Sequence, residues 1–252
     1  MKRIDYRTYV VSCFHAPIAV FLSYSAMFLV CGEDTNVFND DKCFNTPRYM
    51  HIWCLLNTVA YFMQDLIYLI FVTGDGSAMT YQTYAHHIIS ILTFYETALF
   101  MNWMMIFGCM LLFVEVSTIF VSARSLMFFH GMQGTLIYNI NVAVAFFFFF
   151  FGRVVYQIGI TAFMGLPWWY VDVTSDKTGS VETWVLIQLA VLVLGSIALN
   201  LHWFALLVAT ARRALKRMEG EELYASPERK GEGAELVDQR APKSDDRLWG
   251  EI

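Results

Sequence analysis

Long apolar stretches separated by short polar segments dominate the chain. A helix needs about 20 apolar residues to cross a bilayer. Six stretches meet this requirement, at 8–31, 49–73, 82–101, 103–122, 135–158 and 183–211. The pattern therefore predicts an all-α fold, a polytopic transmembrane bundle of about six membrane-spanning helices. The fifth stretch is the hardest to delimit because apolar residues continue to Trp169. Gly159, Gly165 and Pro167 either end this helix or begin a short re-entrant piece.

Composition and charge divide the chain into three parts. Hydrophobic residues make up 57% of the sequence and charged residues 15%, which is typical of membrane proteins. We expect residues 1–48 to form the first transmembrane helix and an exoplasmic loop, and residues 49–213 to form the main transmembrane domain. The stretch after Met218 is acidic and contains few apolar residues. It predicts a disordered cytosolic tail over 214–252.

Basic residues flank the first and last spans, at Lys2, Arg3 and Arg7 and again over 212–217. The positive-inside rule then places both termini in the cytosol and requires an even number of crossings. The first span fits a retained anchor better than a cleaved signal sequence, because its apolar run continues to Val30. Cys31 and Cys43 share the loop after this span and could form a disulfide in an oxidising lumen.

Polar residues inside the predicted spans occur at similar depths. At a rise of about 1.5 Å per residue they lie roughly 5–17 Å inside the cytosolic boundary. They are Asp65, His86, His87, Glu115, Asn139, Asn141, Asn200 and His202. Ionisable residues within a membrane usually face a bundle interior or a water-filled cavity. We therefore expect a hydrated polar cavity that opens to the cytosol.

The adjacent histidines in YAHHIIS are the first candidates for function. His86 shares a helix face with Ser90 and Thr93, whereas His87 points about 100° away. Two neighbours on one helix cannot easily bind one metal ion, and we predict no metal site. One histidine is expected to be the reactive group and the other its hydrogen-bonding support. His15, His51 and His130 are expected to lie away from this pair.

Arg153 follows the phenylalanine run of the fifth span and requires an anion if it is buried. The candidate partners are Asp172, Glu96 and a lipid phosphate. Each intramembrane polar residue also has a structural alternative. Histidines and asparagines can join helices through hydrogen bonds, carboxylates can satisfy a neighbour, and Arg153 can anchor the helix to lipid.

Several segments together resemble the TLC-domain family, which includes the ceramide synthases. They are YFMQDL with Asp65, YAHHIIS with His86 and His87, LLFVEVST with Glu115 and Ser117, Asn139 and Asn141 before an aromatic run that ends in Arg153, and NLHWF with Asn200 and Trp203. The resemblance covers about Tyr49 to Arg213. It implies a helical bundle around a lipid-accommodating channel, in the endoplasmic reticulum or, alternatively, the plasma membrane.

For ceramide synthases the resemblance implies acyl transfer from acyl-CoA, with the paired histidines as catalytic residues. These would correspond to His86 and His87. The sequence departs from that pattern where it reads Phe113, Val114 and Ser117 in place of a His-Asp pair and a further Asp. It looks closer to the branch that lacks the full ceramide synthase motif, whose members are linked to membrane lipid composition.

The leading functional hypothesis is a protein of membrane lipid metabolism or homeostasis, whose cavity binds a lipid or acyl chain. The alternative is an acyl-CoA-dependent N- or O-acyltransferase, in which a histidine acts as base or nucleophile, Asp65 or Glu115 orients it, and Asn139 holds the oxyanion. A second alternative is a proton-coupled lipid transporter. We expect membrane lipids as partners and no nucleic acid. No cofactor is expected, and acyl-CoA would be a co-substrate of the acyltransferase alternative. The supporting or lipid-binding residues would be Asp65, Ser90, Glu115, Asn139, Arg153, Asn200 and His202.

Overall fold

The computed structural model describes residues 3–32, 34–73, 76–100, 102–174 and 183–225. Helices are the regular elements of these residues, with bounds α1 Arg3–Phe28, α2 Asp41–Asn45, α3 Tyr49–Tyr68, α4 Ala78–Leu99, α5 Trp103–Leu112, α6 Val116–Phe129, α7 Leu136–Phe148, α8 Gln157–Ile160, α9 Leu166–Thr174 and α10 Thr183–Ala225. The predicted all-α membrane bundle is confirmed.

Helix α5 forms the centre of the bundle. All ten of its residues are buried, and α1, α3 and α4 pack around it. A helix that is apolar on every side is stable only in the interior of a protein or a membrane. Gly108 of α5 lies so close to α4 that a Cβ atom there would be 2.5 Å from the Thr97 hydroxyl oxygen. The small residue thus permits close packing of α4 on α5.

Non-α turns interrupt two of the long helices without ending them. A 3₁₀ turn, Phe113–Glu115, joins α5 to α6, and a π-helical segment, Phe149–Tyr156, joins α7 to α8. A second π-helical segment, Thr161–Gly165, continues into α9. Such turns redirect side chains and often occur at functional sites. Glu115 and Arg153 both lie in these turns.

The fifth helical run is longer than the sequence indicates. It extends over Leu136–Thr174, whereas the predicted span ended at 158. Gly159, Gly165 and Pro167 neither end the helix nor begin a re-entrant piece. Pro167 lies at the start of α9, just after the π-helical segment Thr161–Gly165, and the helical run continues past it. Gly165 allows α5 to approach, since a Cβ atom there would be 2.8 Å from the ring of Phe107.

Five runs of the described residues are long and apolar enough to cross a membrane: Tyr6–Phe28, Tyr49–Thr73, Trp103–Phe129, Leu136–Thr174 and Thr183–Arg213. Helix α4 is not among them because it is more polar. Its 22 residues nevertheless measure about 33 Å, enough to cross the hydrocarbon core. The sixth crossing therefore stays a prediction that depends on α4.

The connecting and C-terminal regions bear on two further expectations. Cys31 and Cys43 are joined by a disulfide, with Cα atoms 5.7 Å apart. The helices up to Leu201 belong to one compact unit, and α10 continues beyond it to Ala225. Helix α10 thus occupies the first part of the segment predicted to be disordered, while 226–252 lie outside the described residues.

Candidate functional site

Asp65 of α3 and His87 of α4 form a buried pair between two closely packed helices. Asp65 Oδ2 lies 3.0 Å from His87 Nε2, and the two residues are 7% and 5% exposed. His87 Nδ1 lies 2.7 Å from the carbonyl oxygen of Thr83. A carbonyl oxygen can only accept, so Nδ1 carries a hydrogen and Nε2 shares a proton with the carboxyl group. Both nitrogens of His87 are therefore engaged.

His86 has a different environment from its neighbour. Its ring meets Phe62 edge-on with centroids 5.6 Å apart, and the centroids of His86 and His87 are 5.5 Å apart. His86 is half-buried and lines a narrow cavity between α4, α5, α8 and α10. Of the two histidines, His86 is thus the one that lines the narrow cavity.

This narrow cavity is polar on several sides. Its polar lining consists of His86, Ser90, Thr93, Glu115, Gln157, Ser196 and Asn200. The hydroxyl oxygen of Thr93 is buried and has no hydrogen-bond partner among the described residues. The cavity measures about 20 Å³, which is room for one or two water molecules. It is too small for an acyl chain in this conformation.

A second buried charge pair lies across the cavity from the histidines. Arg153 Nη2 donates to Glu115 Oε1 at 3.2 Å and to Thr118 Oγ1 at 2.6 Å. Arg153 Nε donates to Ser117 Oγ at 2.7 Å, and Nη1 donates to Asn200 Oδ1 at 3.3 Å. We call Glu115, Ser117, Thr118, Arg153 and Asn200 the arginine network. A buried ion pair is tolerated when further hydrogen bonds satisfy its polar atoms, and this network supplies them.

The network continues along the fifth helical run. The side-chain amide of Asn200 donates to Gln157 Oε1 at 2.6 Å, and Gln157 Nε2 donates to Ser196 Oγ at 3.0 Å. Gln157 is 2% exposed and follows Arg153 by one helical turn. Sequence reasoning missed Gln157, although its i+4 spacing from Arg153 placed it on the same helix face.

The expected partners of Arg153 were wrong. Asp172 accepts a hydrogen bond from Trp103 Nε1 at 2.7 Å, and Glu96 accepts one from Gln188. The guanidinium instead pairs with Glu115, so it does not need a lipid phosphate. The proposed pairing of Glu115 with a histidine is likewise replaced by this ion pair, and Asp65 alone holds His87.

The structure does not bring every candidate to the site. Asn139 is exposed near the start of α7, so it cannot hold an oxyanion beside the histidines. Asn141 donates to the carbonyl oxygen of Phe120 at 2.9 Å and thereby joins α7 to α6. His202 is exposed on α10. Ser90 is buried and lines the narrow cavity.

His15 lies closer to the histidine pair than expected. Its ring stacks on Tyr61 with centroids 3.7 Å apart and meets Phe62 at 6.1 Å. Phe62 in turn contacts both rings of the histidine pair. His51, by contrast, accepts from the Arg48 backbone N–H at 2.8 Å near the opposite end of α3. No periodicity within α1 could indicate which residue of α3 His15 meets.

A larger cleft lies between α1 and α3, on the other side of Asp65. It has a volume of about 210 Å³ and is lined by Arg7, Thr8, Val11, Tyr61, Gln64, Asp65, Ile67, Tyr68, Phe71 and Val72. Ile67, Phe71 and Val72 are exposed apolar residues on its rim. We call it the α1–α3 cleft. Asp65 thus contacts His87 on one side and lines the α1–α3 cleft on the other.

A comparison with known protein families agrees with this architecture. A TLC domain matches residues 6–209, about four fifths of the chain. The chain belongs to the TLC-domain family. The match begins in α1, so the first helix is part of the domain. No curated protein matches the chain.

The chain is an integral, multi-pass membrane protein of a lipid-related family, because it belongs to the TLC-domain family and has several long apolar helices. Among the described residues, no three His, Cys, Asp or Glu side chains are grouped so that they could hold a metal ion.

Proposed function

We propose that this TLC-domain protein acts in membrane lipid metabolism or homeostasis by binding a membrane lipid beside the Asp65–His87 pair. The observation that carries the proposal is the position of Asp65. Its carboxylate binds His87 at 3.0 Å and also lines the α1–α3 cleft of about 210 Å³. The apolar rim of that cleft is exposed, as expected of a surface that contacts acyl chains.

The cleft would lie in the cytosolic half of the membrane. Arg7 is at its mouth, and the positive-inside rule places basic residues near the ends of α1 and α10 in the cytosol. A lipid would therefore enter from the cytosolic leaflet. The endoplasmic reticulum is the membrane that the family resemblance favours, with the plasma membrane as the alternative.

Acyl transfer is the second candidate function, and the position of His86 favours it. His86 faces the narrow cavity while His87 is held by Asp65, which is the division of roles that a base and its support require. Two observations weigh against it. The cavity of about 20 Å³ cannot admit an acyl chain, and the side-chain amide of Asn200 is already bonded to Gln157. Lipid binding without chemistry is therefore the better-supported function.

The two candidates can be separated in one experiment. The purified protein in lipid nanodiscs would be incubated with isotope-labelled acyl-CoA, and the bound and free lipids would then be identified by mass spectrometry. The variants are Asp65→Asn at the cleft and His86→Ala at the narrow cavity. Asn139→Ala is the matched control because Asn139 is exposed and touches neither site.

Lipid binding predicts co-purified lipid that is reduced in Asp65→Asn and retained in Asn139→Ala, with no transfer of label. Label in a new amide or ester, lost in His86→Ala, would establish an acyltransferase instead. If wild-type protein retains no lipid above an empty nanodisc and transfers no label, the proposed function is wrong.

A further inference from the structure

The α1–α3 cleft is formed by two antiparallel helices whose register is fixed by three contacts. The guanidinium of Arg7 lies over the Tyr68 ring, 4.7 Å from its centroid. Ser12 and Tyr61 share a hydrogen bond of 2.7 Å between their hydroxyls. Near the other end, His51 Nε2 lies 3.2 Å from the Ala26 carbonyl oxygen. This register sets the relative depth of every polar group in the cleft.

Arg7 provides the positive charge at the mouth of the cleft. It is exposed, and among the residues whose side chains are described it has no carboxylate partner. Its contact with Tyr68 holds the guanidinium over the cleft without using its N–H donors for an ion pair. An arginine in this position can bind a phosphate with two parallel hydrogen bonds.

Asp65 provides a hydrogen-bond acceptor deeper in the same cleft. In the observed register it is level with residues 8–10 of α1, about 1.5–4.5 Å further into the membrane than Arg7. His87 occupies Asp65 Oδ2, which leaves Oδ1 without a partner among the described residues. The cleft therefore has a cation, Arg7, at its mouth and a hydrogen-bond acceptor, Asp65, deeper inside.

Thr8 adds a third polar group to the wall. Its hydroxyl oxygen is shielded from solvent and has no hydrogen-bond partner in the part of the chain that the structure describes. A buried hydroxyl without a partner costs free energy. An oxygen-rich ligand group would satisfy it.

We propose that the α1–α3 cleft selects a phosphate-bearing lipid whose backbone carries a free hydroxyl or amine beside the phosphate. This inference rests on the proposed function and specifies the chemistry of its ligand. The phosphate binds Arg7, the backbone hydroxyl or amine donates to Asp65, and the acyl chain continues deeper past Val11 and Tyr61. A diacylglycerol backbone offers only ester oxygens at this depth, and a carboxylate cannot bond to them.

Two lipids with the same headgroup provide the test. Lysophosphatidate has a free backbone hydroxyl, whereas phosphatidate has an ester at that position. Binding of each to the full-length protein in nanodiscs would be measured by native mass spectrometry and by displacement of a fluorescent lysolipid. Glycerol 3-phosphate and inorganic phosphate serve as soluble competitors, which separates a lipid site from a site for free phosphate.

We expect wild-type protein to bind lysophosphatidate about tenfold or more tightly than phosphatidate, the factor typical of a hydrogen bond to a charged group. Arg7→Gln should weaken both lipids about tenfold, while Arg212→Gln, a change at an exposed arginine of α10, should not. Asp65→Asn keeps a neutral acceptor and should reduce the preference for the lysolipid only in part, whereas Asp65→Leu removes both acceptor oxygens and should abolish it. Thr8→Val keeps the shape of the side chain and the Asp65–His87 pair, and should weaken both lipids a few-fold.

Equal affinity for the two lipids, or equal effects of Arg7→Gln and Arg212→Gln, would overturn this inference while leaving lipid binding by the protein intact. Displacement by glycerol 3-phosphate at the concentration of the lysolipid would also overturn it, since the site would then recognise a soluble phosphate. Absence of any bound lipid, co-purified or added, would instead contradict the proposed function itself.

Discussion

The structure buries two charged pairs at the centre of one membrane bundle, and they differ in what surrounds them. In the arginine network, Arg153 donates to Glu115, Ser117, Thr118 and Asn200, so its N–H groups are directed at protein atoms. In the Asp65–His87 pair, the histidine is fully engaged but the aspartate borders an open cleft. The arginine network borders only the narrow cavity of about 20 Å³, whereas the Asp65–His87 pair borders the α1–α3 cleft of about 210 Å³.

The difference predicts a structural role for the arginine network and a functional role for the Asp65–His87 pair. Charges that are enclosed and hydrogen-bonded join helices, and in this protein they connect the 3₁₀ turn before α6 to the π-helical segment after α7 and to α10. A carboxylate that faces a cleft can accept a bond from a ligand. Replacing a residue of the arginine network should therefore mainly lower stability. Replacing a residue of the Asp65–His87 pair should lower stability less and also weaken lipid binding.

The largest effect is expected from Arg153→Met. This change leaves Glu115 buried without its partner and should lower the free energy of unfolding by about 3–5 kcal/mol. The double variant Glu115→Met/Arg153→Met removes both charges and should lose less than the single variant. Unfolding in mixed micelles, followed by circular dichroism, measures both. A single variant as stable as wild type would show that the arginine network is not structural.

A smaller loss of stability is expected from His87→Ala. Water in the cleft can reach the carboxylate that is left behind, so the cost should be about 1–3 kcal/mol. Lipid retention should fall at the same time, because Asp65 is no longer held. His87→Gln restores a donor to Asp65 and should recover part of both. A loss of stability equal to that of Arg153→Met would remove the distinction between the two pairs.

Ser117→Ala tests the arginine network by its hydrogen bonds alone. The change removes the acceptor for Arg153 Nε, now at 2.7 Å, and should cost about 1–2 kcal/mol of stability. Lipid retention should equal that of wild type, since Ser117 lines neither the narrow cavity nor the α1–α3 cleft. Reduced lipid retention in a folded Ser117→Ala protein would place the ligand in the network instead.

Asn139→Ala should have the smallest effect. The side chain is exposed on α7, so stability should change by no more than about 0.5 kcal/mol and lipid retention not at all. Thermal unfolding and lipid mass spectrometry of the same sample check both. Loss of retained lipid would mean that α7 takes part in the binding site.

The sequence was sufficient to predict the fold class and the family. It also indicated that Asp65, His87, Glu115, Arg153 and Asn200 lie in the interior, and all five are buried. Long apolar runs report membrane helices directly, and an ionisable residue inside such a run marks an interior face. A histidine was expected to pair with Asp65 or Glu115, and the structure pairs His87 with Asp65. Each of these predictions uses either the pattern within one helix or the depth of a residue in the membrane. The spacing of residues along the sequence gives both.

The partners of Arg153 and the exposure of Asn139 could not be predicted in this way. Spacing gives the face on which a residue lies, but it does not give the rotation of that helix against its neighbours. The 3₁₀ and π-helical turns at Glu115 and Arg153 also shift the faces that an ideal helix would present. The α1–α3 cleft was missed for the same reason, because Arg7 and Asp65 come from helices whose register only the fold reveals.

The central claim is that a membrane lipid binds in the α1–α3 cleft beside Asp65, and photo-crosslinking tests it most directly. A lysolipid with a diazirine near the start of its acyl chain would be incorporated with the protein into nanodiscs and irradiated, and the labelled peptides would be sequenced. We predict labelling concentrated at Val11 and Tyr61 and reduced in Arg7→Gln. Labelling spread evenly over the exposed faces of all helices, and unchanged in that variant, would contradict the claim.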